Sequence, residues 1–194
     1  MSITAEIINL LPMNLVGSIS RRTNKSVEEN PALAQDPKAS QILGAWEDFA
    51  AVESEIVNNK DQGKYFVVYT NCADGTHDYK VFVGVEVTSF AGLTEKMESM
   101  TMPSQAYVKF TSEPGIWPNV ANELWSHGYP APAKAEGEPQ GWGVDYPAKF
   151  GAEAEQTHKP MIQIYHNLPY RNPPLDNPEK IIVGLCIPVK ILPK

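Results

Sequence analysis

The chain has 194 residues, with 16 Lys plus Arg against 23 Asp plus Glu, a net charge of −7. That length suits one domain, or two small halves sharing a core, and the acidic balance argues against a nucleic-acid surface, where phosphates demand a basic patch. No run of about 18 apolar residues exists to span a membrane, the N-terminus lacks the order of a secretion signal, and two cysteines fit a reducing compartment, so a cytoplasmic protein without a membrane partner is expected.

In chain order, Ile3 to Leu11 is a short apolar lead-in. Met13 to Ser20 reads as a first strand, with Leu15 and Ile19 alternating against Asn14, Ser18 and Ser20. Arg21 to Gln35 is polar and carries Asn30-Pro31, as a loop does. Asp36-Pro37 is a helix start, an N-cap acid followed by proline in the first turn. Ile42, Trp46, Phe49, Val52 and Ile56 then recur at helical spacing, which predicts a helix over about 37–59 that ends at Asp61-Gln62-Gly63. Strands follow over 64–71 and 78–89, joined by the turn Ala73-Asp74-Gly75. Phe90 to Ser99 is a connection, and Gln105 to Thr111 a further strand. Ser112 to Gly115 turns into a second helix whose buried face carries Trp117, Val120, Ala121 and Leu124, with Gly128 as its C′ residue. Residues 129–160 carry five prolines that break regular structure, and Trp142, Tyr146 and Phe150. A loop of that length is either pinned to the core by its aromatics or laid as a lid over a cleft. Two more strand runs begin at Met161 and at Ile181.

The two strand pairs echo each other. Val68-Tyr69-x-Asn71 matches Ile164-Tyr165-x-Asn167, and Val83-Gly84-Val85 matches Val183-Gly184-Leu185. The order is strand, helix, strand, strand, twice. This predicts an α+β protein of tandem duplicated βαββ units, about 12–89 and 103–192, with an antiparallel sheet, two main helices on its outer side, a pseudo-two-fold axis and a ligand cleft at the junction. Gly84 and Gly184 sit inside strands, where glycine is costly and marks a close approach by backbone or ligand.

Tyr65, Tyr69, Tyr107, Tyr165, Trp117, Trp125 and Trp142 are the aromatic candidates to line that cleft. Strand alternation puts Tyr65, Val67 and Tyr69 on one face and Gln163 with Tyr165 on one face of theirs, whereas Trp46 and Phe49 read as core. Glu86 shares a face with Phe82 and Gly84 and reads either as a solvated strand residue or as a charge in the cleft. His77, His127, His158 and His166 show no ligand spacing, so no metal is expected. Cys72 and Cys186 read as inert thiols. There is no phosphate loop and no nucleophile elbow, and no cofactor is expected.

With these residues in place the chain resembles the GyrI-like or AraC-type effector-binding domain of bacterial transcription regulators. The resemblance rests on Tyr65 to Asn71, on Asp78-Tyr79-Lys80-Val81 with Val83 to Val87, on Met102-Pro103-x-x-x-Tyr107-x-x-Phe110, on Glu123-Leu124-Trp125, and on Ile187-Pro188-Val189-Lys190. It covers nearly the whole chain from Met13, and the stand-alone, integron-cassette-type binding proteins are the most similar subgroup. The resemblance implies a multidrug-type binding protein that takes a hydrophobic, aromatic, often cationic small molecule between its halves, without a DNA-binding segment of its own. Some relatives modulate gyrase through protein contacts, and some hydrolyse electrophilic compounds. The family usually carries an acid in the strand that here reads Met161-Ile162-Gln163-Ile164-Tyr165, and Gln163 stands in its place. A neutral amide offers dipoles and hydrogen bonds where a carboxylate offers charge, which puts cation preference and hydrolysis in question. Hydrolysis would require Glu86 or Glu123 in the cleft.

Overall fold

A run of seven residues, Lys64 to Thr70, holds five consecutive buried side chains, and such a run belongs to a strand covered on both faces rather than to an amphipathic edge. It is the third of nine strands in a computed structural model that describes residues 3–23, 42–61, 63–70, 78–116, 119–121, 124, 153–157, 159–166 and 181–193. The elements are β1 (Ile3–Leu10), β2 (Met13–Thr23), α1 (Ile42–Glu53), β3 (Lys64–Thr70), β4 (Asp78–Val87), β5 (Glu98–Met102), β6 (Gln105–Ser112), β7 (Ala154–Gln156), β8 (Met161–His166) and β9 (Ile182–Ile191). Residues 119–121 and 124 are also helical. The protein is α+β.

The sheet order is β1-β6-β9-β8-β3-β4-β2-β5, with β7 set against β9, and every pairing is antiparallel. Outward from the central β3–β8 pair, one side reads β3-β4-β2 and the other β8-β9-β6. Each face of the sheet carries its own apolar cluster. One holds Tyr65, Val67, Tyr69, Val83, Tyr165 and Leu185 together with Trp46 and Phe49 of α1. The other holds Leu15, Phe66, Val68, Phe82, Tyr107, Ile162, Ile164 and Cys186. Period-two alternation sorts β3 and β8 between the two clusters.

α1 presents Ala45, Trp46, Phe49 and Val52 to the sheet and Glu47 and Asp48 to solvent. It packs over β2 and β4, where the Ser20 hydroxyl donates to the Asp48 carboxylate. The helical residues of the second half bury Val120 and Leu124 completely, and the Val120 N–H donates to the Ile116 carbonyl at 3.1 Å.

Four differences from the sequence expectations have local causes. The helix stops at Glu53 rather than near residue 59; Asn58 takes φ +65°, Asn59 bridges to Val87, and the Lys60 N–H donates to the Glu86 carbonyl at 2.8 Å. Sheet pairing has claimed the last expected turn, while Ile56 still packs on the core and so prolongs the helical spacing. Residues 37–41 lie outside the described set. The lead-in is a full edge strand, β1, paired along its length with β6. Part of the expected connection 90–99 belongs to β5, which pairs with the outer side of β2. Within 129–160, residues Ala154–Gln156 form β7 against β9; 129–152 lie outside the described residues. All three strands are short or at an edge, where burial, and with it the alternation signal, is weakest.

Candidate functional site

The central strand pair sets the site. In the β3–β8 register Tyr65 faces Tyr165, Val67 faces Gln163 and Tyr69 faces Met161. Residues of odd number on both strands therefore share the face under α1. The Trp46 ring meets Tyr165 edge-on at 5.3 Å between centroids and Tyr65 at 5.9 Å. Phe49 completes the group at 6.3 Å from Trp46 and 6.0 Å from Tyr65. Edge-to-face packing of this kind fixes ring orientation as well as burying area.

Gln163 lies at the centre and is 1% exposed. Its Oε1 accepts from the Tyr69 hydroxyl at 2.5 Å and from the Tyr165 hydroxyl at 3.2 Å. Its Nε2 is buried without a partner among the described residues, and so is Nε1 of Trp46. Buried polar groups are normally paired, and these two donors lie in one aromatic cluster. At the end of α1 the Glu53 carboxylate accepts from the Tyr65 hydroxyl at 2.8 Å.

The structure thus brings together four of the residues singled out in the sequence, Tyr65, Tyr69, Gln163 and Tyr165. It does not bring Tyr107 to them. That ring belongs to the cluster on the opposite face, beside Leu15 and Phe66, and burial raises its hydroxyl pKa well above the usual value, with the Cys186 thiol adding to the effect. Glu86 also occupies the opposite face, across from Leu15 in the β2–β4 register. It is paired with Lys60 at 2.6 Å, with 14% of its side chain exposed against 57% for Lys60. Trp117, Trp125, Trp142 and Glu123 lie outside the described residues. Sequence reasoning took Trp46 and Phe49 as core, and both are buried, but they also wall the Gln163 site. It missed Glu53 altogether. The signal was there, because Glu53 follows Phe49 by four residues and shares its helix face.

Among the described residues there is no group of three or more His, Cys, Asp or Glu side chains placed to hold a metal ion. No helix among them is long and apolar enough to cross a membrane.

The fold is of the GyrI-like effector-binding kind. The chain belongs to the integron-associated effector binding protein family, whose model matches residues 6–166. Binding of a small molecule is what membership of this class carries. The fold is similar to that of an integron cassette protein from the mobile metagenome of Vibrio cholerae, with a TM-score of 0.58 at 19% identity over 96% of this chain and 95% of that one. It is also similar to a putative transcription regulation protein from Staphylococcus aureus, with a TM-score of 0.56 at 17% identity over 96% and 98%. A third similar structure is SAV2435 bound to tetraphenylphosphonium, with a TM-score of 0.58 at 16% identity over 96% and 94%. No curated protein matches the chain.

Proposed function

We propose that the protein binds a hydrophobic, aromatic small molecule on the α1-covered face of the β3–β8 seam, with Trp46, Tyr65, Tyr69 and Tyr165 as walls and Gln163 as the polar anchor. One observation carries this reading: a glutamine that is 1% exposed, in a ring of aromatics, with an amide nitrogen that has no partner among the described residues. An unpaired buried amide of this kind costs stability that an apolar side chain of equal volume would not. Sites for apolar ligands have this composition, mostly aromatic with a few placed polar groups.

In this reading 1–194 is a single effector-binding unit made of two related βαββ halves, about 12–89 and 103–192, joined at the seam. The mirrored order β3-β4-β2 and β8-β9-β6 supports it. So does the register: the echo that equates Tyr69 with Tyr165 also equates Val67 with Gln163, and these two are direct partners. A relative of the same fold with tetraphenylphosphonium bound supports an aromatic ligand of that size.

Ligand-induced change in tryptophan fluorescence tests the proposal. Micromolar binding of at least one member of a panel of aromatic dyes, neutral and cationic, is expected, and it should weaken in Tyr165→Ala. A panel without a single micromolar ligand would sink it.

A further inference from the structure

We propose that this site selects an uncharged aromatic compound through a hydrogen-bond-accepting oxygen, a carbonyl, sulfonyl or phosphoryl group, in preference to an aromatic cation. The inference rests on the small-molecule reading above and names the chemical class of the ligand.

Two tyrosine hydroxyls, Tyr69 at 2.5 Å and Tyr165 at 3.2 Å, converge on Oε1 of Gln163. The oxygen end of the amide is thus the end that meets both hydroxyls. The NH2 end is left with two protons and no acceptor among the described residues, and the Trp46 indole contributes a third N–H in the same state. Trp46 packs edge-on against Tyr165, the ring whose hydroxyl holds Gln163, so both donors belong to one cluster. Their side chains are 1% and 6% exposed, so bulk water does not serve them.

A ligand entering here meets donors and aromatic rings. An accepting oxygen satisfies donors that otherwise stay unpaired, and a site built on buried donors discriminates strongly against an analogue lacking the matching atom. A cation brings no acceptor. It would give up its hydration while facing the positive ends of N–H dipoles, with no carboxylate on β8 to offset the cost. An anion would accept the bonds but exchange its hydration for neutral donors alone. The uncharged acceptor is the chemistry that fits. The carboxylate that belongs to the cluster, Glu53, already accepts from the Tyr65 hydroxyl.

Three probes of one shape separate these cases: triphenylphosphine oxide, with a strong accepting oxygen; methyltriphenylphosphonium, in which a methyl group and a positive charge replace that oxygen; and triphenylmethane, with neither. Isothermal titration of the wild-type chain is expected to rank the oxide first, about tenfold or more above the phosphonium and the hydrocarbon. Gln163→Glu, checked for folding by thermal melting, should invert the order of oxide and phosphonium. Trp46→Phe, which keeps an aromatic wall but removes the N–H, should lower the ratio of oxide to hydrocarbon affinity.

Equal affinity for oxide and hydrocarbon would mean that the donors play no part in binding, and would overturn the inference. A wild-type preference for the phosphonium would overturn it too; loss of that preference in Glu53→Gln would then assign the cation's partner to Glu53. If none of the three binds while a member of the dye panel does, small-molecule binding stands and the acceptor inference falls. If nothing in either set binds, both fall.

Discussion

The Tyr69 hydroxyl donates to the amide oxygen of Gln163 at 2.5 Å, between residues 94 positions apart in sequence. The two side chains come from neighbouring strands, and the contact ties one half of the chain to the other at a point where both faces of the sheet are buried. Tyr69→Phe removes this bond and leaves the amide oxygen with the longer contact from Tyr165. A loss of about 1 kcal/mol is expected, read as a lower urea midpoint at unchanged slope. An unchanged midpoint would show that the Tyr165 hydroxyl is sufficient.

Gly84 and Gly184 echo each other in sequence but not in surroundings. A Cβ on Gly84 would lie 2.4 Å from the Val16 carbonyl oxygen and 2.6 Å from the Phe82 ring, and on Gly184 2.9 Å from Cε of Lys109. Backbone and a packed ring do not yield, whereas the outer part of a lysine does. Gly84→Ala should therefore destabilise by about 1–3 kcal/mol, and Gly184→Ala by distinctly less. Chemical denaturation of the two variants side by side compares them, and equal losses would contradict the difference in neighbours.

Cys186 is fully buried in β9. Burial, with a smaller contribution from Glu6, pushes its thiol pKa up to about 12 against the opposing pull of Lys109 and Lys64. The thiolate is the reactive species, so Cys186 in a Cys72→Ser background should stay unmodified by a disulfide reagent at pH 8 and react once urea unfolds the chain. Rapid labelling of the native protein would show that the cluster opens.

His166 ends β8, and its pKa lies below the ordinary 6.5, first because of burial and then because of Lys64 and Lys109, with Asp61 opposing. The folded state thus takes up a proton less readily than the unfolded chain. The associated stability is fully present above about pH 6.5 and is lost as pH falls from there through the folded value. His166→Gln should flatten the fall in melting temperature between about pH 7 and 5. A variant with the wild-type slope would place the effect elsewhere.

Glu86 is paired with Lys60 at the rim of the opposite face. Because Lys60 is 57% exposed, removing the pair should cost under about 1 kcal/mol. Glu86→Gln should leave dye affinity unchanged within error, since α1 and the aromatic cluster lie on the far side of the sheet. A change of about tenfold would bring Glu86 back into the site, and with it the carboxylate that hydrolysis would need.

Much of the architecture was legible before folding. The buried runs at 64–70 and 161–166, the turn chemistry between strands and the apolar stripe through Trp46, Phe49 and Val52 specified the central strands and the helix, because a strand covered on both faces and a helix covered on one leave strong periodic patterns. The edge strands β1 and β5 and the short β7 left weak ones. The end of α1 was misplaced because Ile56 is kept apolar by the core it touches, not by a helix.

The site divides along the same line. Alternation along single strands placed Tyr65 and Tyr69 on one face and Gln163 and Tyr165 on another. Only the β3–β8 register made those two faces one, and only the seating of α1 set Trp46 and Phe49 on it. Tyr107 and Glu86 carry the residue types a binding site favours, yet the pleat of β6 and β4 turns them to the opposite face. The sequence determined which residues were available, through composition and period. The tertiary structure decided which of them meet, because register across a sheet is set by the packing of both faces at once and not by any one strand.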